Sequence, residues 1–280
     1  MRQRHVLVRG LRLNCLEWGS AAAPPVLLLH GGSAHGHWWD GVAPALADRF
    51  RVLALELRGH GDSEWARPAA YDVDDYAADV AALVEQEDLR TLRLVGHSLG
   101  GLVAAAAAAL VSGRMAALAI VDSRTAPFSG GLRSLHRLAQ LPSPRWRTRA
   151  EAIARYRLLP DDGATSPETR AHVAAHAVTQ ETGGAWTYKF DRAALAAIRP
   201  YDAAPALARI GCPVLALRGA LSPMMSARAL EALRAAAPQL EVATIDGAHH
   251  HVMLDRPAEF SHALGHFLDR SAAAPVLAAG

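Results

Sequence analysis

The residues Gly96-His97-Ser98-Leu99-Gly100-Gly101 stand between the apolar run Leu92–Val95 and the alanine-rich run Leu99–Val111. The first run has the length and side chains of a buried strand, the second those of a buried helix. Ser98 therefore occupies a sharp strand-to-helix turn, where its hydroxyl is held clear of a sheet. Gly96 and Gly100 carry no side chain, so the chain can approach its neighbours while Ser98 takes a strained backbone conformation. The Leu99 amide, at the helix N-terminus, points at any negative charge that develops beside Ser98. A nucleophile and an oxyanion donor are thus adjacent in the chain. A chance Gly-x-Ser-x-Gly turn would lack the strand before it and the helix after it.

The elements that must position this turn alternate between β-rich and helical runs, the pattern of a parallel sheet covered by helices. Val6–Arg9 and Leu11–Trp18, separated by Gly10, form an opening hairpin. Strands follow at Pro25–His30, Arg51–Leu57, Leu92–Val95 and Leu118–Val121, with a helix over Asp74–Glu87. From Thr125 to Asp202 the pattern changes to helical stretches broken by prolines, with Trp146, Tyr156, Trp186, Tyr188 and Phe190 among them and no clear strand. This segment reads as a mobile helical cap, residues 125–202, inserted into a core made of residues 1–124 and 203–280. Alternation resumes with Pro213–Arg218, Ala227–Ala237 and Glu241–Ile245. A last helix opens at Pro257 and carries Phe260, Leu264, Phe267 and Leu268 on one face. The tail from Ser271 is alanine-rich and uncapped, and reads as loose.

Composition narrows the function classes. The chain has 280 residues, 51% of them apolar and 20% charged, which excludes a largely disordered protein. The net charge of +2 is spread along the chain without a run of like charges. Neither a nucleic-acid partner nor a membrane surface is indicated. Cys15 and Cys212 lie in apolar runs and read as buried free thiols of a reducing compartment. The apolar run near the N-terminus is too short for a signal peptide, so a cytoplasmic location is expected.

Four motifs in order, namely His30-Gly31-Gly32, Leu57-Arg58-Gly59-His60-Gly61-Asp62-Ser63, the Ser98 turn, and Gly247-Ala248-His249-His250, make nearly the whole chain resemble the α/β-hydrolase family. The resemblance implies a mostly parallel eight-stranded sheet flanked by helices, with an inserted helical cap. It implies that Gly32 supplies a second oxyanion N–H beside that of Leu99. It also implies a base histidine near the C-terminus, after the acid in chain order. The family pattern Gly-x-Gly-His with a proline seven residues later selects His250, since Pro257 is seven beyond it; His249 then stands where relatives have a second glycine. The triplet His249-His250-His251 is not expected to bind a metal, because consecutive residues rarely converge on one ion.

The acid departs from the usual pattern. Relatives place it after the strand ending at Arg218, but Gly219–Met225 contains no carboxylate, and Pro223 stands near the acid's place. Some relatives use the preceding strand, which points to Asp122; the competing account is that Asp122 only shapes the strand exit. Glu56 is taken as structural. His35, His37, Trp38 and Trp39 either line a pocket or pack on the sheet, and the same two accounts hold for the cap aromatics. His97, Trp38, Trp146 and Trp186 are the pocket candidates.

The resulting expectation is a serine hydrolase that cleaves a small or medium carboxylic ester with water and needs no cofactor or metal. C–C bond hydrolysis, lactone opening, amide cleavage and perhydrolysis use the same residues. A ligand receptor on a hydrolase scaffold is the alternative from a different class. A serine at the turn argues against the aspartate-based dehalogenase and epoxide hydrolase relatives.

Overall fold

Leucine- and valine-rich runs become strands, and the runs between them become the helices that cover the sheet. The computed structural model describes residues 1–125 and 132–271. The strands are β1 (Arg2–Val8), β2 (Leu11–Trp18), β3 (Pro25–Leu29), β4 (Arg51–Leu55), β5 (Leu92–His97) and β6 (Met115–Val121). They continue with β7 (Val178–Gln180), β8 (Trp186–Tyr188), β9 (Val214–Gly219) and β10 (Leu240–Ile245). Eight of them form one sheet in the order β1-β2-β4-β3-β5-β6-β9-β10. β1 and β2 are antiparallel to each other and β2 to β4; the pairs from β4 through β10 are parallel.

Both faces of the sheet are buried, as a parallel sheet requires. Helices Val73–Gln86, Leu99–Leu110 and Ala227–Ala236 cover one face, where Leu27, Leu94, Leu118 and Ala216 point. The short helices after β3 and the C-terminal helix Pro257–Arg270 cover the other, against Val26, Leu28, Val95 and Ala119. Helix Val73–Gln86 starts at a reciprocal cap between Asp72 and Asp75 and buries Tyr76, Ala77, Val80, Leu83 and Val84, one helical stripe. Ala104 to Ala109 are all buried in helix Leu99–Leu110, where methyl side chains let that helix lie close to the sheet and to its neighbour.

Two expectations are corrected. The segment between β6 and β9 does contain strands: β7 and β8 pair as an antiparallel hairpin. Each has only three residues, and Thr179 and Gln180 give no apolar run, so the local pattern carries no strand signal there. Cys212 is half-buried rather than buried, whereas Cys15 is buried; both are free thiols. The tail beyond Ser271 lies outside the described residues, as do residues 126–131. Among the described residues no helix is long and apolar enough to cross a membrane.

The turn at Ser98 requires close backbone packing. A Cβ at Gly96 would run into the Gly100 carbonyl, and one at Gly100 would sit 2.5 Å from the carbonyl oxygens of both Leu29 and His30. Backbone cannot yield as a flexible side chain can. Gly100→Ala should therefore destabilise the fold by about 3 kcal/mol or more, whereas Gly113→Ala, with nothing within 4 Å, should stay within ~0.5 kcal/mol of the parent. Urea titration of the pair checks this; equal midpoints would refute the packing account.

Candidate active site

Four chemistry-bearing loops leave the sheet at the C-terminal ends of β3, β5, β6 and β10, the end where parallel sheets gather their ligands. Ser98 follows β5 with φ 53° and ψ −117°. Its N–H donates to the Val121 carbonyl at 3.0 Å, and the Ser123 hydroxyl donates to its carbonyl at 2.7 Å. Asp122 follows β6, also at positive φ (42°), with its N–H on the Leu217 carbonyl at 2.8 Å. Two non-glycine residues at neighbouring strand exits thus hold a conformation that costs roughly 1–3 kcal/mol each. Ladder hydrogen bonds and close packing on both sides hold them there.

His250 comes from the loop after β10 and lies between these two residues. Its Nε2 is 3.1 Å from Ser98 Oγ and its Nδ1 is 2.7 Å from Asp122 Oδ2. The carboxylate accepts the Nδ1–H, which leaves the Nε2 lone pair directed at the serine hydroxyl. Ser222 Oγ donates to the same Asp122 oxygen at 2.5 Å. Ser222 is the polar residue of the loop that lacks an acid. It supplies a donor to the carboxylate one strand away, and its position beside Pro223 was the available signal.

The other histidines of the triplet turn elsewhere. His249 donates its backbone N–H to Asp255 Oδ2 at 2.9 Å, and His251 Nε2 donates to the Pro160 carbonyl at 2.8 Å. His97 Nε2 donates to the His250 carbonyl at 2.9 Å, tying the histidine loop to β5. Burial holds the His97 imidazole well below its ordinary pKa, and lowers that of His251 to about 4. Both rings beside His250 are therefore neutral at pH 7 and do not oppose a proton on it.

The loop after β3 is set by His30. Its Nδ1–H donates to the Gly31 carbonyl at 2.8 Å, while its Nε2 accepts the Leu57 N–H at 3.0 Å, so both ring nitrogens are used and the tautomer is fixed. Burial and the nearby His60 lower its pKa to about 3. A Cβ on Gly31 would lie 3.2 Å from Ser98 Cβ, and one on Gly32 would lie 3.8 Å from the Leu99 side chain. Gly32 and Leu99 are thus neighbours beside Ser98. The Leu99 N–H, first in its helix, has no intrahelical acceptor. Glu56 is buried behind the loop, accepting from Asn14 Nδ2 (3.0 Å), Gly36 N–H (2.9 Å) and Asp62 N–H (2.5 Å). Burial raises its carboxyl pKa despite these donors.

The pocket candidates are redistributed. A cavity of about 180 Å³ opens between the His30–His35 loop and the inserted segment, against Ser33, Ala34, Tyr156, Tyr188, Phe190 and Leu195. Arg155, Arg157, Lys189 and Arg192 also reach its wall. Trp146 and Trp186 do not line it. Their backbones pair with each other at 2.9 Å, and the Trp146 ring packs on Tyr188 at 4.8 Å. Aromatic spacing alone could not separate the cavity wall from the hairpin behind it. Trp38 is buried with its ring 5.0 Å from that of His251, and His97 is buried; neither lines this cavity.

The chain matches the sequence profile of the alpha/beta hydrolase fold over residues 24–257, and it belongs to that family. It is 28% identical over 274 residues to 2-(acetamidomethylene)succinate hydrolase of Mesorhizobium japonicum, an alignment covering 95% of each chain. A crystal structure of E-2-(acetamidomethylene)succinate hydrolase superposes with a TM-score of 0.84 at 27% identity, over 96% of this chain and 99% of that one. A malate-bound thermophilic esterase from Thermogutta terrifontis superposes with a TM-score of 0.75 at 25% identity, over 97% and 99%.

Buried neutral imidazoles make stability depend on pH. Burial lowers the pKa of His30 to about 3 and those of His60 and His251 to about 4, and holds His35 and His97 well below the ordinary value. The unfolded chain protonates these groups near pH 6.5 and so binds more protons than the folded one below that pH. Stability should be flat above about pH 7.5 and fall steadily as pH drops through 6.5 toward 4, by up to about 2 kcal/mol per histidine at pH 5. Urea midpoints measured from pH 8 to 5 check this. A midpoint unchanged down to pH 5 would mean that these rings are hydrated.

Proposed function

We propose that the chain is a serine hydrolase that cleaves a small or medium carboxylic ester through an acyl-enzyme on Ser98. The hydrogen-bonded series Ser98, His250, Asp122 carries this reading. Ser98 Oγ attacks the acyl carbon while its proton passes to His250 Nε2. The Asp122 carboxylate keeps the tautomer that makes Nε2 the base and stabilises the imidazolium. The Gly32 and Leu99 N–H groups take the oxyanion, each worth roughly 3–4 kcal/mol in the transition state. Collapse expels the alcohol, which takes the proton back from Nε2. Water then attacks the acyl-enzyme by the same route, the acid leaves, and Ser98 regains its hydrogen. In this reading residues 125–202 act as the cap that shapes the acyl site.

A second reading is favoured by the cavity wall and the relatives together. Arg155, Arg157 and Arg192 at the cavity suit a substrate that carries its own carboxylate, while the fourth cation, Lys189, is paired with Asp62 at 2.7 Å. Two of the similar proteins are named for, or bound to, dicarboxylic acids. The scissile bond is then an ester or an acyl amide of a small acid, cleaved by the same residues.

A phosphonate ester should label Ser98 stoichiometrically, and Ser98→Ala should abolish both labelling and turnover of p-nitrophenyl esters. Asp122→Asn, nearly isosteric, should lower kcat by roughly 10²–10⁴-fold. Ser222→Ala should lower it about tenfold, the scale of one hydrogen bond to a charged group. An Asp122→Asn variant that keeps a third of the parental kcat while Ser98→Ala is inactive would remove Asp122 from the mechanism.

The two substrate readings separate by comparing kcat/KM for neutral esters with that for esters and N-acyl amides of succinate-like acids. Arg155→Ala should lower only the second set.

A further inference from the structure

Beyond the loop of Gly32, four side chains bring three imidazoles and a carboxylate together. His37 lies on the short helix Gly36–Trp39 and Asp40 caps its end. His172 and His176 lie on helix Pro167–His176 of the inserted segment, four residues apart and so on one face. Asp40 Oδ2 is 2.9 Å from His37 Nδ1 and 2.7 Å from His172 Nε2. The His37 and His176 rings stack at 3.6 Å between centroids. One ligand atom from each of the four residues lies within 4.8 Å of all the others. Around a tetrahedral ion with bonds of ~2.1 Å, donors lie about 3.4 Å apart, so the two Asp40 contacts would open slightly and the longest pairs would close by about 1.4 Å at most.

Hydrogen bonding alone does not account for the arrangement. Asp40 Oδ2 accepts from two imidazoles at once, while its Oδ1 is buried without a partner. A carboxylate with one oxygen shared by two imidazoles and the other buried without a partner is a polar group short of a cation. The cluster is graded from buried His37 to exposed His172, which leaves an entry path from solvent. Three neutral nitrogens and one carboxylate oxygen are a donor set of zinc, with nickel and copper as competitors.

We infer that His37, Asp40, His172 and His176 bind one divalent transition-metal ion, best matched by Zn²⁺, which fastens the inserted segment to the core beside the Gly32 loop. Ligation through His37 Nδ1 places that ring's proton on Nε2. The His176 ring turns out of its stack to aim a nitrogen at the ion. The ion would join direct ties already present between segment and core: His35 to the Val173 carbonyl (3.0 Å), His251 to that of Pro160 (2.8 Å), and Thr165 to Asp255 (2.6 Å). Its role is structural, and it is separate from the hydrolytic residues.

The test uses the full chain stripped with EDTA, loaded with Zn²⁺ or Co²⁺ and desalted. The parent should retain one ion per chain and show the intense visible bands of tetrahedral Co²⁺. Its melting temperature should rise by about 5 °C or more at Zn²⁺ concentrations a hundredfold above Kd. His172→Ala/His176→Ala and, separately, Asp40→Asn should lose at least tenfold in affinity, with Ser98 still labelled by phosphonate as proof of folding. Failure to retain an ion, only weak octahedral Co²⁺ bands, or equal uptake by parent and variants would overturn the site. Should the double variant fail to fold, Asp40→Asn and the parental Co²⁺ spectrum decide between the same outcomes.

Discussion

Ser98 is held at φ 53°, a conformation an L-residue adopts only when its surroundings leave no alternative. Gly96, Gly100 and Gly101 make those surroundings possible. A side chain on Gly96 or Gly100 would strike backbone, and one on Gly101 would reach the Ser123 side chain at 2.6 Å. The turn therefore joins β5, β3 and β6 in one contact. If it relaxed, the Ser98 hydroxyl would lose its alignment with His250, and Gly32 and Leu99 would no longer be neighbours. The alanines of helix Leu99–Leu110 serve the same constraint, since larger side chains would push the helix off the sheet.

A second layer consists of histidines used as neutral connectors. His30, His97 and His251 each donate one ring N–H to a backbone carbonyl, at Gly31, His250 and Pro160. An imidazole is stiff, and its two nitrogens are far enough apart to bridge loops that secondary structure does not join. Burial keeps these rings uncharged, so they position the loops without adding a fixed positive charge near the proposed base. Stability at low pH is the corresponding cost.

The inserted segment meets the core through apolar side chains, Leu158 and Val173 against one face and Ala194 against the other, and through a set of polar ties. Arg67 and Tyr71 both reach Asp191, and Asp191 N–H donates to the Gly59 carbonyl at 2.8 Å. Thr165–Asp255 and His35–Val173 add two more such ties. They fix where Tyr156, Tyr188 and Phe190 stand, and thereby the shape of the space next to the Gly32 loop.

Period and punctuation in the sequence determined the order of the strands of the large sheet and the turn at Ser98, because these depend on local conformational preference and on apolar runs that must be buried. Glycine positions were equally legible, since only missing side chains allow such backbone contacts. Which of His249, His250 and His251 faces Ser98 required the family's spacing, and the structure brings His250 there. Other features depended on residues far apart in the chain. Ser222 reaches Asp122 across 100 positions, and His172 reaches Asp40 across 132. Trp146 and Trp186 carry the same local signal as Tyr156 and Tyr188, yet stand off the cavity those tyrosines line. Hydrophobicity states that a side chain will be buried. Which neighbours bury it is decided only when β6, β9 and the inserted helices pack, because that choice is a property of surfaces meeting and not of either surface alone.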